Sequence, residues 1–199
     1  MKNVKRVLLS IVLICGVCAG FVFAAEKEVK TAGLPEPNNL LLHPKPLVQL
    51  AILLDTSNSM DGLINQARTQ LWSIVNEFIF AKQQGTSPEV QVALFEYGNN
   101  RLSSEQGHIR LVLPFTTDLD KVSEELFALK TNGGSEYCGW VIKDAIEKLN
   151  WSRNSSDLKV IFIAGNEPFT QGNIAYQASC KSAIEKGIIV NTIHCGSES

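Results

Sequence analysis

The chain has 199 residues, 45% of them hydrophobic and 19% charged, and carries a formal net charge of −2. That length holds one ordinary domain, and the composition is that of a globular protein with a real core, not of a disordered or fibrous one. The mildly acidic balance, with no basic run anywhere, excludes a general nucleic-acid binder.

The first 24 residues differ from the rest. Lys2, Lys5 and Arg6 precede an apolar run over 7–25 that ends in small residues. This is the layout of a secretory signal peptide, with Val22-Phe23-Ala24 as the cleavage site, and it predicts a secreted or periplasmic protein. The alternative is an uncleaved N-terminal anchor in the membrane, against which stands the lack of a basic cluster after the run, where Lys27 and Lys30 alternate with Glu26 and Glu28. Neither Cys15 nor Cys18 follows a small residue, so no lipid attachment is expected. Loss of 1–24 leaves 15 of the 18 basic residues against 20 acidic ones. Residues 25–46, with Pro35, Pro37, Pro44 and Pro46, read as an extended proline-rich linker.

From residue 47 to 199 the pattern is that of one domain. Residues 48–54 are apolar apart from Gln49, as expected of a strand covered on both faces. Apolar residues at Leu63, Ile64, Ala67, Leu71, Ile74, Val75, Phe78 and Ile79 then predict a helix over 63–81. Residues 90–97 and 108–115 read as strands, antiparallel neighbours across a polar Gly-Asn-Asn-Arg stretch. "TTDLDKVSEELFAL" predicts a short helix with acidic residues in its first turns, which suits the helix dipole. The loop "TNGGSEY" leads into a helix over 138–149, and "LKVIFIAG" is another buried strand. After "NEPFTQG" come a helix over 173–186, ended by Gly187, and a last strand over 188–194. Strands alternating with helices imply an α/β fold: a mostly parallel central sheet of about five strands between two helical layers, with one antiparallel edge strand.

Three loops fall at the carboxyl ends of strands, where open α/β sheets gather ligands. The first, "DTSNSM", places Asp55, Ser57 and Ser59 after the first strand. The second, "GGSE", offers Ser135 and Glu136. The third, "GNEP", offers Asn166 and Glu167. A plain reading of Asp55, Ser57 and Ser59 is a helix cap, since Asp and Ser often satisfy the free N–H groups of a first turn. The other reading is a set of hard oxygen ligands for Mg²⁺, or Mn²⁺ or Ca²⁺. Enzyme readings lack their parts. A phosphatase of the haloacid-dehalogenase type needs a second carboxylate where Ser57 stands, and remains a remote alternative. A dinucleotide-binding domain needs a glycine-rich turn that is absent, and a serine hydrolase needs a placed base. His43, His108 and His194 are scattered, and Trp72, Trp140 and Trp151 read as packing residues.

"DTSNSM" resembles the D-x-S-x-S motif of von Willebrand factor type A domains, and the resemblance runs from about residue 48 to 195. It implies a Rossmann-like three-layer fold and a metal-ion-dependent adhesion site, to which a partner protein supplies the last carboxylate. Asp55, Ser57 and Ser59 match the motif, and Ser135 stands at the threonine of the family's Gly-Gly-Thr loop. The final carboxylate does not match, because Gly165 occupies the family's aspartate position. Glu136, Asn166 and Glu167 are secondary candidates to compensate, and restoring an aspartate at 165 is expected to strengthen the site. The family also carries a further helix and strand after the segment matching "GIIVNTIHCG", so a C-terminally shortened version is expected here.

Cys138, Cys180 and Cys195 follow the leader. In an exported protein one disulfide is expected. Cys138–Cys195 is favoured over Cys180–Cys195, because both fall at the same end of the sheet. "NWS" at Asn150 and "NSS" at Asn154 match the glycosylation pattern. The whole is read as an exported binding module for an unidentified protein, acting through a divalent cation. A metal-free scaffolding domain of the same fold is the alternative.

Overall fold

Nine residues with a single polar side chain before the last, Leu47–Asp55, form the central strand β1, and every residue after Leu47 is buried. The computed structural model describes residues 45–82 and 85–196. The leader, the linker up to residue 44, Cys15, Cys18 and His43 lie outside them. In chain order β1 is followed by α1 (Ile64–Phe80), β2 (Glu89–Tyr97), β3 (Ile109–Thr116), α2 (Leu119–Ala128) and α3 (Cys138–Lys148). Then come β4 (Leu158–Gly165), α4 (Tyr176–Glu185) and β5 (Ile189–His194).

The five strands form one sheet in the order β3-β2-β1-β4-β5. β1 pairs in parallel with β2 and β4, β4 pairs in parallel with β5, and only β2–β3 is antiparallel. This is the mixed, helix-flanked sheet that the alternating pattern implied. Alternation along each strand divides the core in two. Leu50, Ile52 and Leu54 face Ala67, Leu71 and Val75 of α1 and Val122 and Leu126 of α2. Ala51 and Leu53 face Val141, Ile142 and Ala145 of α3 and Ala183 of α4. Each fully buried Leu, Ile or Phe contributes roughly 1.5–3 kcal/mol, so the doubly covered central strands hold most of the stability.

The disulfide expectation is overturned. Cys138, Cys180 and Cys195 are all free, with no sulfur pair close enough to bond. Cys138 and Cys195 do share one end of the sheet, but Cys195 packs in the core beneath α1 and α2 while Cys138 packs beneath α3 and α4. The sheet lies between them. Cys180 borders the α3/α4 core, so the same barrier separates it from Cys195.

The two outer strands are built differently. β3 carries Arg110 and Pro114, and its pairing with β2 shifts register twice. β5 carries no charged residue and no proline, and Ile189 is exposed. The tryptophans pack as expected: Trp151 meets Phe115 edge-on with ring centroids 4.8 Å apart, and Trp140 stacks on Tyr137.

Candidate functional site

Asp55 ends β1 and is 1% exposed. Its Oδ1 accepts the Ser57 backbone N–H at 2.8 Å, a local turn that folds the chain back over the strand end. The Ser57 and Ser59 hydroxyls lie 2.8 Å apart, and the Ser59 hydroxyl donates to Asn166 Oδ1 at 3.0 Å. Neither serine caps a helix. The short 3-10 turn Asn58–Met60 has no side-chain cap from Ser57, and α1 starts only after Leu63, also uncapped by any side chain. The cap reading therefore fails: the two hydroxyls meet each other, and Ser57 also bears on Asp55 and Glu136.

Backbone bonds stitch the second loop to the first. Asn132 N–H donates to Thr56 O and Asn58 N–H to Gly133 O, both at 2.8 Å. Ser135 is half-buried and forms a backbone bridge to Gly98, just beyond β2. Among the described residues its hydroxyl takes no part in the bonds that link Ser57, Ser59 and Asn166. Glu136, next in the chain, is 3% exposed, and its Oε2 accepts from Gln171 Nε2 at 2.7 Å. Glu167 is exposed but close enough to act on both buried acids electrostatically.

Gly98, Tyr97 and Gln171 escaped the sequence reading, and each shapes the site. A Cβ added at Gly98 would lie 2.7 Å from Asp55 Oδ1, 3.2 Å from Glu136 Cγ and 3.4 Å from Ser57 Cβ. Three oxygen-bearing side chains thus crowd one point that only glycine leaves open. The register Asp55↔Tyr97 sets Tyr97 beside the acid, where its hydroxyl donates to Ala164 O at 3.2 Å. A Cβ at Gly165 would lie 2.6 Å from that hydroxyl and 3.2 Å from Asp55 Oδ2. An aspartate at 165 cannot simply be restored, because a buried phenol fills the space. A glycine ending the strand beside the motif was the one signal in the sequence that could have pointed to Gly98.

The electrostatics are one-sided. Burial, with smaller contributions from the negative charges of Glu136 and Glu167, pushes Asp55 up to about 7, against the lowering effect of the Ser57 hydrogen bonds. Glu136 is raised as well, first by burial. Every ion pair among the described residues lies elsewhere, so no Lys or Arg pairs with either acid. Tyr97 and Cys138 are raised by burial too, Cys138 to about 12, which keeps both neutral beneath the site. Hard oxygens in an acidic, cation-free setting suit a hard divalent cation, though no three His, Cys, Asp or Glu gather as a metal-holding group among the described residues.

Residues 49–199 match the von Willebrand factor type A domain. The chain belongs to that family. Membership sets this von Willebrand type A domain among typically non-catalytic adhesion modules. No curated protein matches the chain. Among solved structures it is similar to an aerotolerance-related membrane protein from Bacteroides fragilis, with a TM-score of 0.53 and 20% identity over 75% of this chain and 68% of that one. Proximal thread matrix protein 1 from the mussel byssus, described with a zinc-occupied metal-ion-dependent adhesion motif, has a TM-score of 0.58 at 11% identity. The pilus adhesin SpaC from Lactobacillus rhamnosus has a TM-score of 0.55 at 15% identity. This type A domain covers 75% of itself in both alignments but only 36% of the mussel protein and 24% of the adhesin. At such identities the likeness establishes the fold.

Proposed function

We propose that the chain is an exported binding module that engages a protein partner through a divalent cation at the carboxyl edge of its sheet. Asp55, Ser57 and Ser59 would hold the ion, with Ser135 and Asn166 at its margin. When bound, the cation supplies an electrophilic position that a carboxylate of the partner can fill. The observation that carries this reading is a buried Asp55 beside two paired hydroxyls, with no ion-pair partner among the described residues. A buried acid in that state either stays protonated or recruits a cation. The zinc-occupied motif named for the mussel protein supports the same reading by analogy.

A metal-free interaction domain is the second reading. It is favoured by the glycine at 165 and by the lack of a third clustered metal-ligating side chain among the described residues. Calorimetric titration of the chelator-washed chain with Mg²⁺ and with Mn²⁺ separates the two. Saturable binding of one ion per chain is expected. A flat titration with both ions, from protein whose circular dichroism shows it folded, would leave the metal-free domain standing.

A further inference from the structure

The site lacks a carboxylate at position 165, and that position is closed by Tyr97 rather than vacant. A different acid stands on the opposite side of Asp55. Glu136 is buried, and the Cβ position at Gly98 lies 3.2 Å from its Cγ and 2.7 Å from Asp55 Oδ1. Both side chains therefore border one small space, together with Ser57.

Two neighbouring carboxylates do not share a buried space without something to hold them there. Ordinary packing would turn Glu136 outward to water, since a glutamate almost never stays fully buried unpaired. Here Gln171 holds it inward by two contacts: its Nε2 donates to Glu136 Oε2 at 2.7 Å, and its Oε1 accepts the Glu136 backbone N–H at 3.4 Å. Gln171 is itself held, because its loop is clamped on α3. A Cβ at Gly139 would lie only 2.0 Å from Ile174 O, and α4, which follows the loop, is tied to α3 by the Ser179 hydroxyl donating to Gly139 O at 2.7 Å. A neutral amide orients the acid but leaves its charge unbalanced.

We propose that Glu136 is the second anionic ligand of the cation, in place of the carboxylate missing at 165, and that Gln171 is the residue that positions it. This rests on the cation reading of the site given above. Asp55 and Glu136 together carry two negative charges, which match a dication, so the ion is held without help from a partner. The partner's carboxylate then adds specificity rather than the charge needed for the ion to stay.

The test is titration of the full chain and its variants with Mn²⁺, read by calorimetry and by the loss of the free-ion paramagnetic resonance signal. Glu136→Gln, which keeps size and hydrogen bonding, is expected to weaken binding about 100-fold, and Gln171→Ala about tenfold, as for an orienting partner of a ligand. In the Glu136→Gln background, Gln171→Ala should cost nothing further, a non-additivity that a general structural role would not produce. Glu167→Gln should change affinity less than about twofold, because Glu167 is exposed and screened. Wild-type affinity retained in Glu136→Gln overturns this assignment and leaves the cation reading intact. A folded wild type that binds no Mn²⁺ overturns both. Should Glu136→Gln fail to fold, Glu136→Asp and Gln171→Ala carry the same test: unchanged affinity in both refutes the role.

Discussion

The two ends of the sheet bury polar groups in opposite ways. At the amino end the buried polar groups of the described residues have their complements. Gln49 donates to Gln91 Oε1 and accepts from the Ser152 N–H at 2.7 Å, while the buried Lys159 ammonium donates to Ser152 O and Lys186 O at 3.2 and 3.1 Å. At the carboxyl end Asp55 and Glu136 share a confined space, and among the described residues no cation answers them. Satisfied polar groups lock a fold; unsatisfied charge is tolerated where something else is meant to meet it. The amino end thus serves stability and the carboxyl end serves binding.

Substitutions at each end can break that division. The largest effect is expected from Asp55→Ala. It should reduce Mg²⁺ or Mn²⁺ affinity at least ~100-fold in calorimetry and leave the unfolding midpoint unchanged or raised, since it removes a buried acid. A loss of folding would place Asp55 with the amino-end group instead.

Next comes Gly165→Asp. It is expected to destabilise the chain by about 1–3 kcal/mol in urea unfolding, because its Cβ meets a rigid phenol. Tyr97→Phe in the same chain removes the colliding oxygen and should recover part of that loss. The recovery, not either single value, shows that Tyr97 closes the seat.

The pH dependence sharpens the comparison further. In chelator, Asp55 holds its proton up to about 7, while an unfolded aspartate releases it near 3.8. The folded state therefore binds the proton more tightly, and its advantage is present below the unfolded value and lost as pH rises through 7. Stability should fall by about 4 kcal/mol between pH 4 and pH 8, relative to Asp55→Asn measured alongside. Parallel curves for the two proteins would refute the assignment.

The smallest effect belongs to the amino end. Lys159→Met keeps the stem and removes two hydrogen bonds to carbonyls, at a cost of about 1 kcal/mol in denaturant and none in cation affinity. A change in affinity would show that the two ends are coupled.

Most of the fold was legible because it is written locally. Apolar runs broken only by Gln49 and Lys159 marked β1 and β4, and helical spacing marked α1. Boundaries slipped where chain was spent on contacts. Residues 173–175 were expected to be helical, yet Ile174 O packs against Gly139 and α4 starts at Tyr176. Ile188 was expected in β5, but its N–H closes the end of α4 by donating to Ala183 O. At the site, Asp55, Ser57 and Ser59 could be read because they share one loop. Tyr97, Gly98 and Gln171 could not, since only strand register and the packing of a distant loop bring them to Asp55. The cysteines show the same limit: strand ends give height along the sheet, but only the helix crossovers decide which face a thiol meets.

The unlike outer strands have a last consequence. β3 is blunted by Pro114, Arg110 and its register shifts, while β5 offers an uncharged edge with backbone groups unpaired by any other described strand. Among the described residues, strand addition is therefore opposed at β3 and unopposed at β5. Two copies meeting through β5 would use the same surface on both, an isologous contact with a two-fold axis, and their β3 strands would form the outer limits of a ten-stranded sheet. Symmetry then ends the process. Such an edge, paired with its own copy, makes a closed dimer.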